Sequence, residues 1–212
     1  TTIPNPAVSP SGITDLLAKR PRELVFETLD PQSVYSYSNS PSKLAIHSIY
    51  WSAFVCGKHT SEFQMNIATL HSGEPAHVGV FWGLHPELSP DGLAQETCLS
   101  CIVKPDPNSP TKASLQLFRL DFADDMRGRR AMYFSHELKS MAVAVDWKKP
   151  IGLQLKASEG KCTEVTVQEK LLKVDWDAIN VAWKEFAVGE CGLISPQSKD
   201  QVVFSRALLQ TP

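Results

Sequence analysis

His85, Glu87 and His136 are the residues of this chain whose types could do the most demanding chemistry. A His-x-acid pair with a later histidine can hold a non-haem iron on one face of a β-barrel, leaving positions open for substrate and oxygen. The match is only a few residues long, and Pro86, between Gly83 and Pro90, is ordinary turn chemistry. No basic residue stands in a context that suggests an anchor for a co-substrate carboxylate. The plainer reading is a set of loop residues.

Cys98 and Cys101 form a Cys-x-x-Cys pair. A structural zinc needs four ligands, and a redox pair usually opens a helix in a βαβ context; neither context is present. In a strand the two would point to opposite faces, as buried or half-buried thiols. The odd count of five cysteines, scattered rather than spaced as a framework, is read as reduced thiols. The chain holds no Gly-rich phosphate loop, Gly-x-Ser-x-Gly elbow or His-Glu-x-x-His helix. No catalytic residue, metal site or cofactor is therefore assigned.

The local positive cluster is Arg127-Gly128-Arg129-Arg130, whose guanidinium forks could pair with phosphates. Asp124 and Asp125 precede it and blunt its field, so Arg127, Arg129 and Arg130 are weak nucleic-acid candidates beside a solvated loop or an inter-subunit ion pair. With a net charge of -2, the chain has no global field for nucleic acid or an anionic membrane. No apolar run approaches the ~20 residues that span a bilayer, and the first residues lack the pattern of a signal peptide. A membrane is accordingly not among the expected partners.

These residues must be positioned by many short elements. The 212 residues, 42% of them hydrophobic, suit one domain with a real core. Pro4, Pro6 and Pro10 make residues 1–12 an extended arm. Ile13, Leu16 and Leu17 predict a short helical turn stopped by Pro21. Beyond it, apolar runs broken by Pro, Gly, Ser and Asp predict strands over 23–29, 62–70, 77–84, 96–103, 114–122, 140–147, 151–157 and 163–174. Residues 44–54 suit either a helix or a strand, and a helix beside the sandwich is preferred. Trp176, Ile179, Trp183 and Phe186 form a stripe that predicts a short helix over 175–186. The fold expected is all-β, an eight-stranded antiparallel jelly-roll sandwich with an N-terminal arm and a short C-terminal helix, residues 13–212 forming a single domain.

The order of these segments resembles the coat proteins of picorna-like viruses, especially the small jelly-roll subunits of plant comovirus and cheravirus relatives. Four features carry the resemblance: the segment Ile13 to Pro21 ending in Arg-Pro; Tyr50-Trp51-Ser52-Ala53-Phe54-Val55-Cys56-Gly57 followed by Phe63-Gln64-Met65-Asn66-Ile67; Gly79-Val80-Phe81-Trp82 with a Pro-containing turn; and the later strands over 114–122 and 142–147. The segment 175–186 and the tail through Val202-Val203-Phe204 have no counterpart in it. The resemblance implies a structural capsid subunit without catalytic residues, assembled in the host cytoplasm into an icosahedral virion. Its implied partners are copies of itself, companion coat proteins and single-stranded RNA. Two other readings stand beside it: the iron oxygenase on a double-stranded β-helix with His85, Glu87 and His136, and a cellular β-sandwich that binds sugar or protein.

Overall fold

The computed structural model describes residues 12–27, 30–71, 74–88 and 94–212; the expected arm lies outside the described residues but for Gly12. Among the described residues the chain forms thirteen strands. They are β1 (Gly12–Asp15), β2 (Arg22–Phe26), β3 (Val34–Asn39), β4 (Ser42–His59), β5 (Glu62–His71), β6 (Val78–Leu88), β7 (Ala94–Pro105), β8 (Lys112–Asp124), β9 (Arg130–Ala144), β10 (Ile151–Ser158), β11 (Lys161–Val167), β12 (Lys170–Leu171) and β13 (Gly189–Thr211). All pairings are antiparallel, in one curled sheet ordered β12-β11-β10-β5-β13-β6-β7-β8-β9. Antiparallel all-β architecture is as the sequence predicts. The strand count is not, because β1, β3, β4 and β13 fall outside the expected set and the strand expected over 163–174 is two, β11 and β12.

The longest strands, β4 and β13, run through both layers of the folded sheet. The first half of β13, from Gly189 to Ile194, lies between β4 and β6. Its second half, from Val202, lies against β5, with β4 and then β1 on its other side. Register shifts at Cys191/Gly192, Pro196/Ser198 and Ser198/Val202 turn the pair from one layer to the other, which is what bulges do. One layer is therefore β2-β4-β13-β6-β7-β8-β9, and the other is built on β13-β5-β10-β11-β12.

The second layer alternates cleanly. Met65, Ile67, Leu153, Leu155, Val165 and Val167 point in, and Gln64, Asn66, Gln154, Lys156 and Thr166 point out. The inward residues pack on Phe54, Val80, Trp82, Leu99 and Leu115 of the first layer. Trp82 Nε1 donates to Gly160 O at 3.0 Å, joining the two layers by a buried hydrogen bond.

The first layer is apolar on both faces. A second core of Leu24, Val25, Phe81, Ile102, Leu120, Phe122 and Ile194 fills its opposite face, and β2 meets β9 across it. Two-sided burial gives Ala53, Phe54 and Val55 an unbroken apolar run, which accounts for the helix-like spacing of 44–54; that segment is strand, not helix. Cys98 lies in the second core and Cys101 in the first, on opposite faces as expected, and the cysteines carry no disulfide. Burial pushes the Cys101 thiol up to about 12.

Two further expectations are corrected. Over 175–186 only Trp183–Phe186 is helical, a single 3-10 turn. Trp176, Ile179 and Phe186 are buried as an apolar stripe requires, but the chain lies across the end of the core in turns, with Ala178 N donating to Asp175 Oδ1 at 3.3 Å. Gly12–Asp15 is strand because β13 offers it a partner edge, and Ile13 is exposed while Leu16 and Leu17 are buried.

His59 is buried against Phe63 and closes the bulge in β6. Its Nε2 accepts from Gly83 N at 2.8 Å, so its Nδ1 carries the proton given to Thr60 O at 2.9 Å. A second proton would abolish the Gly83 bond. Burial lowers the His59 pKa, and burial with the charge of Lys104 pushes His77 down to about 4. The unfolded chain takes up these protons near 6.5, so stability is full above that value and falls as pH drops through the window toward about 4. Chemical denaturation across that range should show the decline in wild type and a shallower one in His59→Gln. Ser100 Oγ is buried in the second core with no hydrogen-bond partner among the described residues. Ser100→Ala is therefore expected to raise unfolding stability by about 1 kcal/mol in the same assay.

Candidate functional site

The iron-type triad is not assembled. His85 stands opposite Thr97, Thr97 opposite Asp121, and Asp121 opposite Phe134, so β6 and β9 are three strand spacings apart. At about 4.8 Å per spacing His85 and His136 are on the order of 14 Å apart along the sheet, too far to share one ion. Each is otherwise engaged. His85 Nδ1 lies 2.7 Å from Gly83 O, and the Glu87 carboxylate accepts from Arg119 Nη2 at 2.6 Å. His136 stacks on Phe134, with planes 8° apart. Arg119 also pairs with Asp121 at 3.3 Å, and Asp121 accepts from Thr97 Oγ1 at 2.6 Å. This ladder of β6, β7 and β8 is a closed charge network. Among the described residues no three His, Cys, Asp or Glu side chains are grouped to hold a metal.

The arginine cluster lies in the turn between β8 and β9. Asp125 accepts from Arg129 at its backbone, Nε and Nη2, and these bonds, the backbone one above all, hold its carboxyl below the usual range. Arg130 reaches Asp124 at 3.3 Å and Glu96 at 3.5 Å. Two of the three guanidinium groups are thus committed within the chain.

The site that the structure does form was not singled out by any motif. A cleft of about 1030 Å³ opens over the second layer. Its outward-facing residues come from adjacent strands in register: Asn66, Gln154 and Thr166 make one cross-strand row, and Arg206, Ala68 and Gly152 make the next. One side of the cleft is formed by Thr111, Lys112, Val145, Asp146, Lys149 and Pro150. Among the described residues that line it there is no aromatic side chain.

Gly152 is the informative position. A Cβ there would meet nothing nearer than Ile67 O at 4.0 Å, whereas one at Gly79 or Gly192 would collide with backbone at 2.3 or 1.9 Å. Packing demands those two glycines and not Gly152. A glycine inside a strand weakens it and commonly marks a place where something else approaches closely. Gly152 and Ala68, side by side, leave that part of the cleft bare.

The hairpin turn between β11 and β12 is built to hold the wall. Gln168 and Glu169 both have positive φ, 46° and 67°, the pair of values that a two-residue hairpin turn needs and that Asn-Gly usually supplies. Gln168 recovers the cost through its amide: Nε2 donates to Asp146 O at 2.9 Å and Pro150 O at 3.2 Å, and Oε1 accepts from Asp146 N at 2.8 Å. The segment 146–150 is thereby fixed to the strands.

No protein-family model matches the sequence, and no curated protein matches it. Solved structures do. The carbohydrate binding module CBM66 from Bacillus subtilis superposes with a TM-score of 0.50 at 10% identity, covering 95% of this chain and 96% of that one. A protein of unknown function with a galectin-like fold, also from Bacillus subtilis, gives a TM-score of 0.50 at 10% identity, covering 84% and 86%. The likeness is one of fold alone. It lies in the curled antiparallel architecture described above.

The two turn residues give opposite expectations. Glu169→Gly relieves the left-handed backbone and should stabilise the protein by about 1 kcal/mol. Gln168→Gly gives the same relief but removes the three bonds to 146–150, and should be net destabilising by thermal unfolding.

Proposed function

We propose that this chain is a non-catalytic carbohydrate-binding β-sandwich module, with the cleft over β13, β5, β10 and β11 as its oligosaccharide site. The observation that carries the reading is the bare floor at Gly152 beside the row Asn66, Gln154 and Thr166. Amides and hydroxyls repeated at the strand spacing of about 4.8 Å offer paired donors and acceptors to successive ring hydroxyls. Sugar hydroxyls demand such partners when they leave water. The fold shared with a carbohydrate binding module supports the reading without carrying it. Binding without turnover is part of this proposal. Of the two acidic residues that line the cleft among the described residues, Asp146 accepts from Lys148 N at 3.0 Å and pairs with Lys149 at 3.8 Å.

The coat-subunit resemblance supplies a second proposal: a jelly-roll shell protein assembling around RNA. The observation on its side is β9, an edge strand of 15 residues that displays Tyr133 and Phe134, the kind of open edge through which chains join. Against its jelly-roll order, β6 to β9 run side by side as a plain meander. Sedimentation distinguishes the proposals, a binding module giving small species and a shell protein giving particles that contain RNA.

The direct test is an oligosaccharide array of neutral and acidic glycans, followed by calorimetry on any hit. Gly152→Val should abolish binding while leaving stability unchanged or raised by under about 1 kcal/mol, since valine suits a strand and has room there. Asn66→Ala with Gln154→Ala should weaken binding about tenfold or more. Full binding by Gly152→Val would overturn the assignment of this cleft.

A further inference from the structure

We infer that the cleft selects an anionic glycan, one carrying carboxylate or sulfate groups, with Arg206 as the principal anion contact; this rests on the carbohydrate-binding reading. Charge is the first argument. Among the described residues the lining includes Lys112, Lys149, Lys170 and Arg206 against Asp146 and Glu169, on a chain whose overall charge is -2. A cleft of one sign on a protein of the other concentrates oppositely charged ligands locally.

Availability is the second. Arg22, Arg119, Arg129 and Arg130 are all held by carboxylates of the chain. Among the described residues, no carboxylate lies within ion-pair distance of Arg206, Lys112 or Lys170. The guanidinium at the cleft thus keeps its planar fork for a ligand, and that fork matches a carboxylate or sulfate through two parallel hydrogen bonds.

Geometry is the third. Arg206 stands opposite Ala68, and Ala68 opposite Gly152, so the two positions nearest to it across the sheet carry almost no side chain. A substituted sugar ring can lie over this gap and bring its anionic group to Arg206. Among the described residues the lining holds no aromatic side chain, which points the same way. Without a ring face to stack on, a neutral sugar has only hydrogen bonds that water also offers, whereas an anion gains charge-assisted ones.

The probes are oligogalacturonides with their carboxyl-reduced counterparts, dextran sulfate with dextran, and polyuridylate, each titrated calorimetrically into the full chain. Expected is binding of an acidic member at least about tenfold tighter than its neutral counterpart, weakened by added salt and reduced about ten- to a hundredfold by Arg206→Gln. Which pair shows the difference identifies carboxylate or sulfate as the group read. Equal binding of acidic and neutral members, unchanged in Arg206→Gln, would overturn the anionic inference and leave the glycan-binding reading standing. Polyuridylate bound as tightly as the best glycan would overturn it as well, because the cleft would then accept any polyanion. If no glycan binds, both readings fail together.

Discussion

The pairing of β4 with β13 is the constraint from which the rest of the molecule follows. Its ladder runs from Gly189 opposite His59 to Phe204 opposite Leu44, and its bulges carry both strands from one layer into the other. A single hydrogen-bonded ribbon therefore joins both layers, and the sheet must fold over on its own apolar face. The first core is what that folding encloses. Gly192 shows how tight the ribbon is, since Phe54 O and the Phe81 ring occupy the space that any side chain there would need.

The cleft inherits its geometry from the same ribbon. The second half of β13 lies against β5 with a register shift between Phe204 and Arg206, which sets Arg206 opposite Ala68. The next strand brings Gly152, and the turn at Gln168 ties 146–150 beside it. Recognition residues thus stand on rigid strands, and the one irregular wall is fixed by three side-chain hydrogen bonds. By contrast, the polar ladder of Thr97, Arg119, Asp121 and Glu87 satisfies itself within the first layer.

Where one face of a strand is dry and the other wet, the sequence reads correctly. Glu62–His71 and Ile151–Ser158 alternate, and their strands are expected to within a residue; Lys161–Val167 alternates too, but the strand expected over 163–174 runs on through the turn at Gln168 and Glu169 into β12. Where both faces are buried, as at Ala53, Phe54 and Val55, periodicity no longer separates strand from helix. Trp176 and Phe186 are correctly marked as buried, but their spacing alone cannot tell a helix from a chain that turns across the end of a core. The cleft was not legible because Asn66, Gln154 and Arg206 are distant in sequence and meet only through strand register. One signal was present: Gly152, an isolated glycine inside an alternating strand pattern, which is a mark of close approach.

Backbone amide chemical shifts, followed by NMR while oligogalacturonides are added, test the central claim most directly. The largest changes are expected on Asn66, Gly152, Gln154, Thr166 and Arg206 and on the segment 146–150. Changes centred instead on His85, Arg119 and Phe134 would contradict it, because the ligand would then occupy the other layer.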